Sequence, residues 1–211
     1  MNTQIVDSLN WRYATKQYDA SKQISAEDLE TLKEATKLSV SSYGLQPYKV
    51  ILVENPELRA KLRTVAWNQT AVTDASHFFV FAVEKNLGAK QVQAYMENIS
   101  NTRGIPVENL AGFSGMIHSA IDGLDENAKE NWAKRQAYIA LGTLINTAAL
   151  LKVDATPMEG FDAQKFNEIL GLEELGLATA VAAAVGYRHE EDATQHYKKV
   201  RKSNKDLFIN L

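Results

Sequence analysis

From residue 132 to residue 151 the chain is mostly Ala, Leu, Ile, Tyr and Thr, and beyond Gln136 no charge falls until Lys152. A helix apolar on nearly all sides is a buried helix, and at ~1.5 Å per residue this one would be about 30 Å long. The pattern therefore predicts a central helix around which other elements pack. Thr143, Asn146 and Thr147 dilute the run, and Lys134 and Arg135 sit inside one end, which favours a core or interface helix over a membrane span.

Apolar spacing places the other elements. Ile5, Val6 and Leu9 predict a helix over 2–10. Ser25 with Asp28 opens another, which Leu29, Leu32, Ala35 and Leu38 carry to residue 38. The β-rich run 48–54 reads as a strand, and Pro56 opens a helix to residue 66. The continuous apolar run 77–83 reads as a strand covered on both faces. Residues 68–76 read as loop, 90–101 as helix, and 102–127, broken by Gly104, Gly112, Gly115 and Gly123, as interrupted helix and mobile loop. After the central helix come a short strand at 153–156, a turn from Pro157 to Asp162, a helix 163–170 closed by Gly171, and a buried strand 179–187. The end Leu207-Phe208-Ile209-Asn210-Leu211 is too apolar for a frayed terminus and reads as an edge strand, in the same subunit or a second one. Alternating elements without repeat or linker predict one mixed α/β domain over 1–211.

Composition removes several chemistries. The chain has no Cys, so disulfides, thiolate metal sites and cysteine nucleophiles are out. A net charge of −3 argues against general nucleic-acid binding. No basic segment followed by an apolar one opens the chain, so a cytoplasmic protein is expected. The four histidines, His77, His118, His189 and His196, are scattered, and no metal site is expected. No G-x-G-x-x-G, Walker A, H-E-x-x-H or G-x-S-x-G motif is present. What remains is a set of separated cations (Arg12, Lys16, Lys199, Arg201), hydroxyls (Ser41, Ser42) and amides (Gln46, Asn68, Gln136). That set suits an anionic, hydrogen-bonding cofactor, since arginine forks onto phosphate oxygens.

Five ordered motifs carry a resemblance over nearly the whole chain: Arg12-Tyr13-Ala14-Thr15-Lys16; Ser41-Ser42 with Gln46-Pro47; Asn68 ahead of Asp74-Ala75-Ser76-His77; Pro157-Met158-Glu159-Gly160-Phe161-Asp162; and Lys199-Val200-Arg201. In these the chain resembles the FMN-dependent nitroreductases, the group with oxygen-insensitive NAD(P)H nitroreductases, flavin reductases and dihydropteridine reductases. The resemblance implies an α+β fold, a mixed sheet flanked by helices, in an intertwined homodimer that exchanges C-terminal strands. It implies non-covalent FMN in a groove at the dimer interface and NADH or NADPH as co-substrate. Hydride would pass through flavin N5 to flat acceptors, namely nitroaromatics, quinones, flavins or pteridines, by a ping-pong mechanism.

By the same resemblance, Arg12 with Lys199 and Arg201 holds the phosphate, and Tyr13 and Ala14 accompany them. Lys16 lies near the flavin pyrimidine edge, where its charge stabilises developing anion, and Asn68 bonds the pyrimidine end. Ser41, Ser42, Gly44 and Gln46 come from the second subunit. Pro157 and Met158 lead to Glu159 and Gly160, whose backbone amides face N5, and Gly160 lets the main chain approach a flat ring. Phe113 is a wall of the substrate pocket and 102–127 the access flap. No side chain is assigned as a general acid. The chain departs from the family at Tyr13-Ala14, where His-Ser is usual, at Gly44, where Asn is common, and at Ala71, where Lys is common. Alternative readings are a non-catalytic flavin-binding or dimeric interaction protein, and a flavin-fragmenting or dehalogenating relative.

Overall fold

The computed structural model describes residues 3–211; the helix expected over 2–10 is observed from Thr3, and its first expected residue lies outside the described ones. Four strands, β1 (Tyr48–Leu52), β2 (His77–Glu84), β3 (Asp154–Met158) and β4 (Leu177–Gly186), form one sheet in the order β1-β2-β4-β3. All three pairings are antiparallel. The flanking helices are α1 (Thr3–Trp11), α2 (Ala26–Lys37), α3 (Pro56–Thr64), α4 (Ala71–Asp74), α5 (Ala89–Arg103), α6 (Ala111–Ile121), α7 (Glu126–Leu150), α8 (Ala163–Leu170) and α9 (Asn204–Leu207). The architecture is the expected α+β one, with the sheet antiparallel throughout the described residues where a mixed one was expected.

Alternation along the strands divides the core in two. Phe79, Phe81 and Val83 of β2, with Val181, Ala183 and Val185 of β4, face α7 and Leu32 of α2. Phe78 and Val80, with Ala182, Ala184 and Met158, face Leu62 of α3, Val72 of α4 and Phe166 of α8. Both faces of β2 are therefore covered, as its unbroken apolar run predicts, although the sheet is antiparallel. Each fully buried Phe contributes about 1.5–3 kcal/mol. A third cluster, Leu87, Val92, Met96, Ile99, Leu110, Ile117 and Ile121, joins α5 to α6.

The helices expected to open at Ser25 and Pro56 start there, and three side-chain caps hold helix starts. Ser25 Oγ accepts from Asp28 N at 3.0 Å, Asn55 Oδ1 caps the Pro56 helix, and Asp162 Oδ1 accepts from Lys165 N at 3.1 Å.

The structure differs from the sequence reading in four places. First, α7 is not buried all round: Ala133, Ala137, Ala140, Leu144 and Ala148 pack on the sheet, whereas Tyr138, Ile139 and Leu150 are exposed. Uniform hydrophobicity hid a two-faced helix, and no helix among the described residues is long and apolar enough to cross a membrane. Second, 102–127 is mainly helical, because Gly112 and Gly115 sit inside α6, whose other face supplies Ile117 and Ile121 to the third cluster. Third, Ala71–Asp74 is a helical turn within the expected loop; Arg59 reaches over it to the carbonyls of Val72, Ala75 and Ser76. Fourth, Pro157 and Met158 belong to β3, which Pro tolerates because β3 is a sheet edge, so the turn is confined to 159–162.

The C-terminal residues form no strand pairing within the chain among the described residues. Leu207, Phe208, Ile209 and Leu211 stand exposed beyond the sheet.

Candidate active site

The site grows from two groups of residues at opposite ends of β3. Asp154 opens that strand and Met158 closes it, a separation of roughly 14 Å at ~3.4 Å per residue.

At the Asp154 end the segment 12–17 has no regular structure, and polar side chains hold it in place. Thr15 Oγ1 donates to Asp154 Oδ1 at 3.2 Å, and Thr156 Oγ1 donates to Thr15 O at 2.9 Å. Arg188 pairs with buried Asp154 at 2.7 Å, and its guanidinium lies 4.2 Å from the Trp11 ring centre and 4.6 Å from that of Tyr13. Asp192 accepts from Lys16 N, Gln17 N and the Tyr13 hydroxyl. The Tyr13 hydroxyl is thus committed inside the protein, and burial with its bond to Asp192 pushes its pKa up to about 12.

This scaffold presents three cations to one another. Lys199 Nζ donates to the carbonyls of Leu9, at 2.6 Å, and Arg12. The pKa of Arg12 is lowered by burial and by Arg201; that of Lys199 is lowered by burial, Arg12 and Arg201. The buried Nε of Arg12 has no hydrogen-bond partner. A buried donor without an acceptor costs about 1–3 kcal/mol, and three mutually repelling cations add to that. An anion bound among them relieves both penalties. Lys16 is exposed at the rim, and Ala14 is partly covered.

At the Met158 end, Glu159 and Gly160 form the turn into α8. Neither N–H donates to an acceptor among the described residues. Gly160 O accepts from Gln69 Nε2 at 2.7 Å, and Glu159 Oε1 accepts from the Tyr138 hydroxyl of α7 at 2.5 Å. Burial and that bond push the Tyr138 pKa up to about 12. Trp67 and Asn68 both take left-handed backbone conformations (φ 52° and 55°), which bulky residues rarely adopt. Asn68 is exposed, and the Trp67 indole is 76% exposed although its edge lies over Gly160. Pro157 is exposed; Met158 packs its side chain into the core, so it faces the site only through its backbone.

The serine loop forms a third group. Ser42 N donates to Gln136 Oε1 at 2.8 Å, Gln136 Nε2 donates to Trp132 O, and Gln46 N donates to Ser41 Oγ at 3.0 Å. Gln136, expected as a polar contact of the site, has its oxygen committed to this loop and its NH2 group donating back to its own helix. Gly44 (φ 78°) lies against Tyr95, whose hydroxyl donates to Tyr43 O. Phe113 of α6 packs at 6.5 Å from Tyr43 and 6.4 Å from Tyr95, centroid to centroid. No hydrogen bond or ion pair among the described residues joins this loop to either end of β3. The first two groups are thus joined through β3, whereas the serine loop is tied to α7 through Gln136.

Asp154, Arg188, Asp192 and Trp67 escaped the sequence reading. None belongs to a motif, and the acids reach across the chain to the segment they hold: Asp154 lies 139 positions from Thr15, and Asp192 lies 175 or more from Tyr13, Lys16 and Gln17. The one local signal was Trp67 itself, an aromatic residue beside Asn68 just after a helix end.

A family model described as "Nitroreductase family" matches residues 9–187. A Staphylococcus epidermidis protein whose name provisionally assigns it as an NAD(P)H nitroreductase is 37% identical, covering 99% of this chain and 97% of its own. A Staphylococcus saprophyticus protein with the same assignment is 34% identical, over 98% and 96%. Among solved structures, a nitroreductase-like protein from Streptococcus mutans superposes with a TM-score of 0.86 at 19% identity over the full length of both chains. One from Exiguobacterium sibiricum, provisionally named a nitroreductase and solved in complex with FMN, gives 0.82 at 18% identity, over 99% of this chain and 96% of its own.

Proposed function

This chain belongs to the nitroreductase family, and on that premise we propose that it is an FMN-dependent oxidoreductase using NADH or NADPH to reduce flat acceptors such as nitroaromatics, quinones, flavins or pteridines. One observation carries the reading: a buried, unpartnered Arg12 Nε sits among cations that lower one another's pKa, at the far end of β3 from two unused amide N–H groups. That donor set fits a ligand with a dianionic phosphate at one end and hydrogen-bond acceptors at the other.

Arg12, Lys199 and Arg201 hold the phosphate through charge-assisted hydrogen bonds. The Glu159 and Gly160 amides, fixed by Gln69 and Tyr138, orient the ring system, and Lys16 and Asn68 attend its polar edge. When bound, FMN supplies the two-electron carrier between a reduced nicotinamide and the acceptor. Trp67 and Tyr138 are the aromatic surfaces beside that position, and 102–127, with Phe113 as a wall, covers the approach to it.

The protein works as a homodimer. The second copy supplies Ser41, Ser42, Gly44 and Gln46, which share no hydrogen bond with the cation group of their own chain among the described residues. Exposed Ile5, Val6 and Leu9 of α1 and Tyr138, Ile139 and Leu150 of α7 are apolar surface for such an interface. A groove of about 1160 Å³ runs beside the free edge of β1, lined by Tyr48, Val50, Leu52 and Leu177, and it receives the Leu207–Leu211 arm of the second copy.

The purified protein should be yellow, with one FMN per chain, and anaerobic NADH or NADPH should bleach it until menadione restores the colour. A colourless preparation that takes up no added FMN would sink the proposal. A yellow one that neither nicotinamide bleaches would reduce it to flavin binding.

A further inference from the structure

We infer that Asp192 is the positioning residue of the phosphate subsite, a single carboxylate that staples together the two distant segments supplying its cations. The inference rests on the phosphate reading of Arg12, Lys199 and Arg201, and it concerns what assembles them.

The problem is one of chain geometry. Arg12 lies in an irregular segment after α1, whereas Lys199 and Arg201 lie in an irregular segment near the other end of the chain. Neither segment has a strand or helix of its own to fix its side chains. Bringing three like charges together also opposes assembly, so something must hold the segments before an anion arrives.

Asp192 does this with both oxygens. Oδ2 accepts from Lys16 N at 2.7 Å, Gln17 N at 3.1 Å and the Tyr13 hydroxyl at 3.0 Å. Oδ1 accepts from Thr194 N at 3.0 Å and Thr194 Oγ1 at 2.5 Å. One oxygen thus fixes the loop of Arg12, and the other starts the 3-10 turn Ala193–His196 that leads to Lys199. Lys199 closes the assembly by donating to the Leu9 and Arg12 carbonyls, which leaves one of its three protons for an anion.

Burial alone would raise the Asp192 pKa, but its donors from Thr194, Lys16 and Gln17 bring it down to about 2, so the staple stays charged under working conditions. Its two oxygens are taken up by five donors of the protein itself. It acts on the ligand only through the residues it orients.

Asparagine is nearly isosteric yet breaks the arrangement. Whichever way its amide turns, an NH2 meets either the three donors at Oδ2 or the two at Oδ1, where only an acceptor serves. The test is equilibrium titration of the full-length chain, freed of flavin, with FMN and with riboflavin, which lacks the phosphate. For Asp192→Asn we expect FMN affinity to fall by about tenfold or more, the scale of charge-assisted bonds misdirected, while riboflavin affinity changes less than about twofold. Equal weakening of both ligands would make Asp192 a general structural staple and overturn the inference, as would no change in either.

Arg12→Ala separates the inference from its premise. If Arg12→Ala weakens FMN and riboflavin alike, the phosphate reading fails; if it weakens FMN alone and Asp192→Asn does not, only the inference fails. Should Asp192→Asn not fold by circular dichroism, Tyr13→Phe and Thr194→Val each remove donors from one oxygen. Each should show the same selective loss of FMN at a few-fold level, and a loss shared with riboflavin would again overturn the inference.

Discussion

Gly160 stands so close to the indole of Trp67 that a Cβ at that position would lie 2.5 Å from Cζ3 and 2.8 Å from Cε3. The glycine expected to admit a flat cofactor ring already faces a flat ring of the protein itself. Both demands converge on one backbone position, and mutation can separate them. Gly160→Ala should lower stability by about 1 kcal/mol, the low end for overpacking, because the exposed indole has room to move. Adding Trp67→Ala should restore the melting temperature. If flavin content stays low in that double variant, Gly160 serves the cofactor directly; if it recovers, the glycine serves Trp67.

Arg188 should be the most costly surface-facing residue to remove. It forms a buried pair with Asp154, with Arg188 Nε and Nη2 both donating, and it covers Trp11 and Tyr13. Arg188→Met leaves Asp154 with only Thr15 and the residue-188 N–H, and breaking such a pair costs about 3–5 kcal/mol. At ~2–4 °C per kcal/mol for a chain of this size, the melting temperature should fall by roughly 6–20 °C. In Asp154→Asn the same Arg188→Met change should cost markedly less, because no buried charge is then stranded.

The segment order and most elements were legible in the sequence for physical reasons. Ser25 with Asp28 and Pro56 mark helix starts through chemistry within a few residues of each, and the unbroken run of β2 reports burial on both faces. The failures also share a cause, which is that long-range partners leave no local trace. The sidedness of α7 depends on which residues meet the sheet, and Ala133 and Ile139 do not reveal it by composition. Gly112 and Gly115 weaken α6 locally, but Ile117 and Ile121 hold it to α5. The cations of the site were readable as motif residues, whereas Asp192 and Arg188, which place them, were visible only in three dimensions.

Acid should expose the contribution of Asp192. Its carboxyl titrates at about 2 when folded, against an ordinary 3.8. A depressed folded value means that its stabilisation is complete above the unfolded pKa and is lost as pH falls through about 2. The stability gap between the parent and Asp192→Asn, measured by urea unfolding, should therefore be constant from pH 7 to 5. It should then shrink by on the order of 2 kcal/mol toward pH 2. A gap that does not change with pH would assign the contact to shape and not to charge.

Gly44 offers the sharpest packing test. Its φ of 78° suits glycine or asparagine, but a Cβ here would run into the Tyr95 hydroxyl and lie 3.3 Å from Cζ. Tyr95 thus occupies the space that a side chain at position 44 needs, and its bond to Tyr43 O fixes the loop in exchange. Gly44→Ala should cost about 2–4 kcal/mol, combining the left-handed backbone penalty with overpacking. Combined with Tyr95→Phe, Gly44→Ala should recover the overpacking part and retain the backbone part, about 1–2 kcal/mol. Gly44→Asn in the same background should do better still, because asparagine tolerates the left-handed region. If Gly44→Asn is no better than Gly44→Ala there, the loop rejects any side chain on grounds other than φ and the Tyr95 hydroxyl.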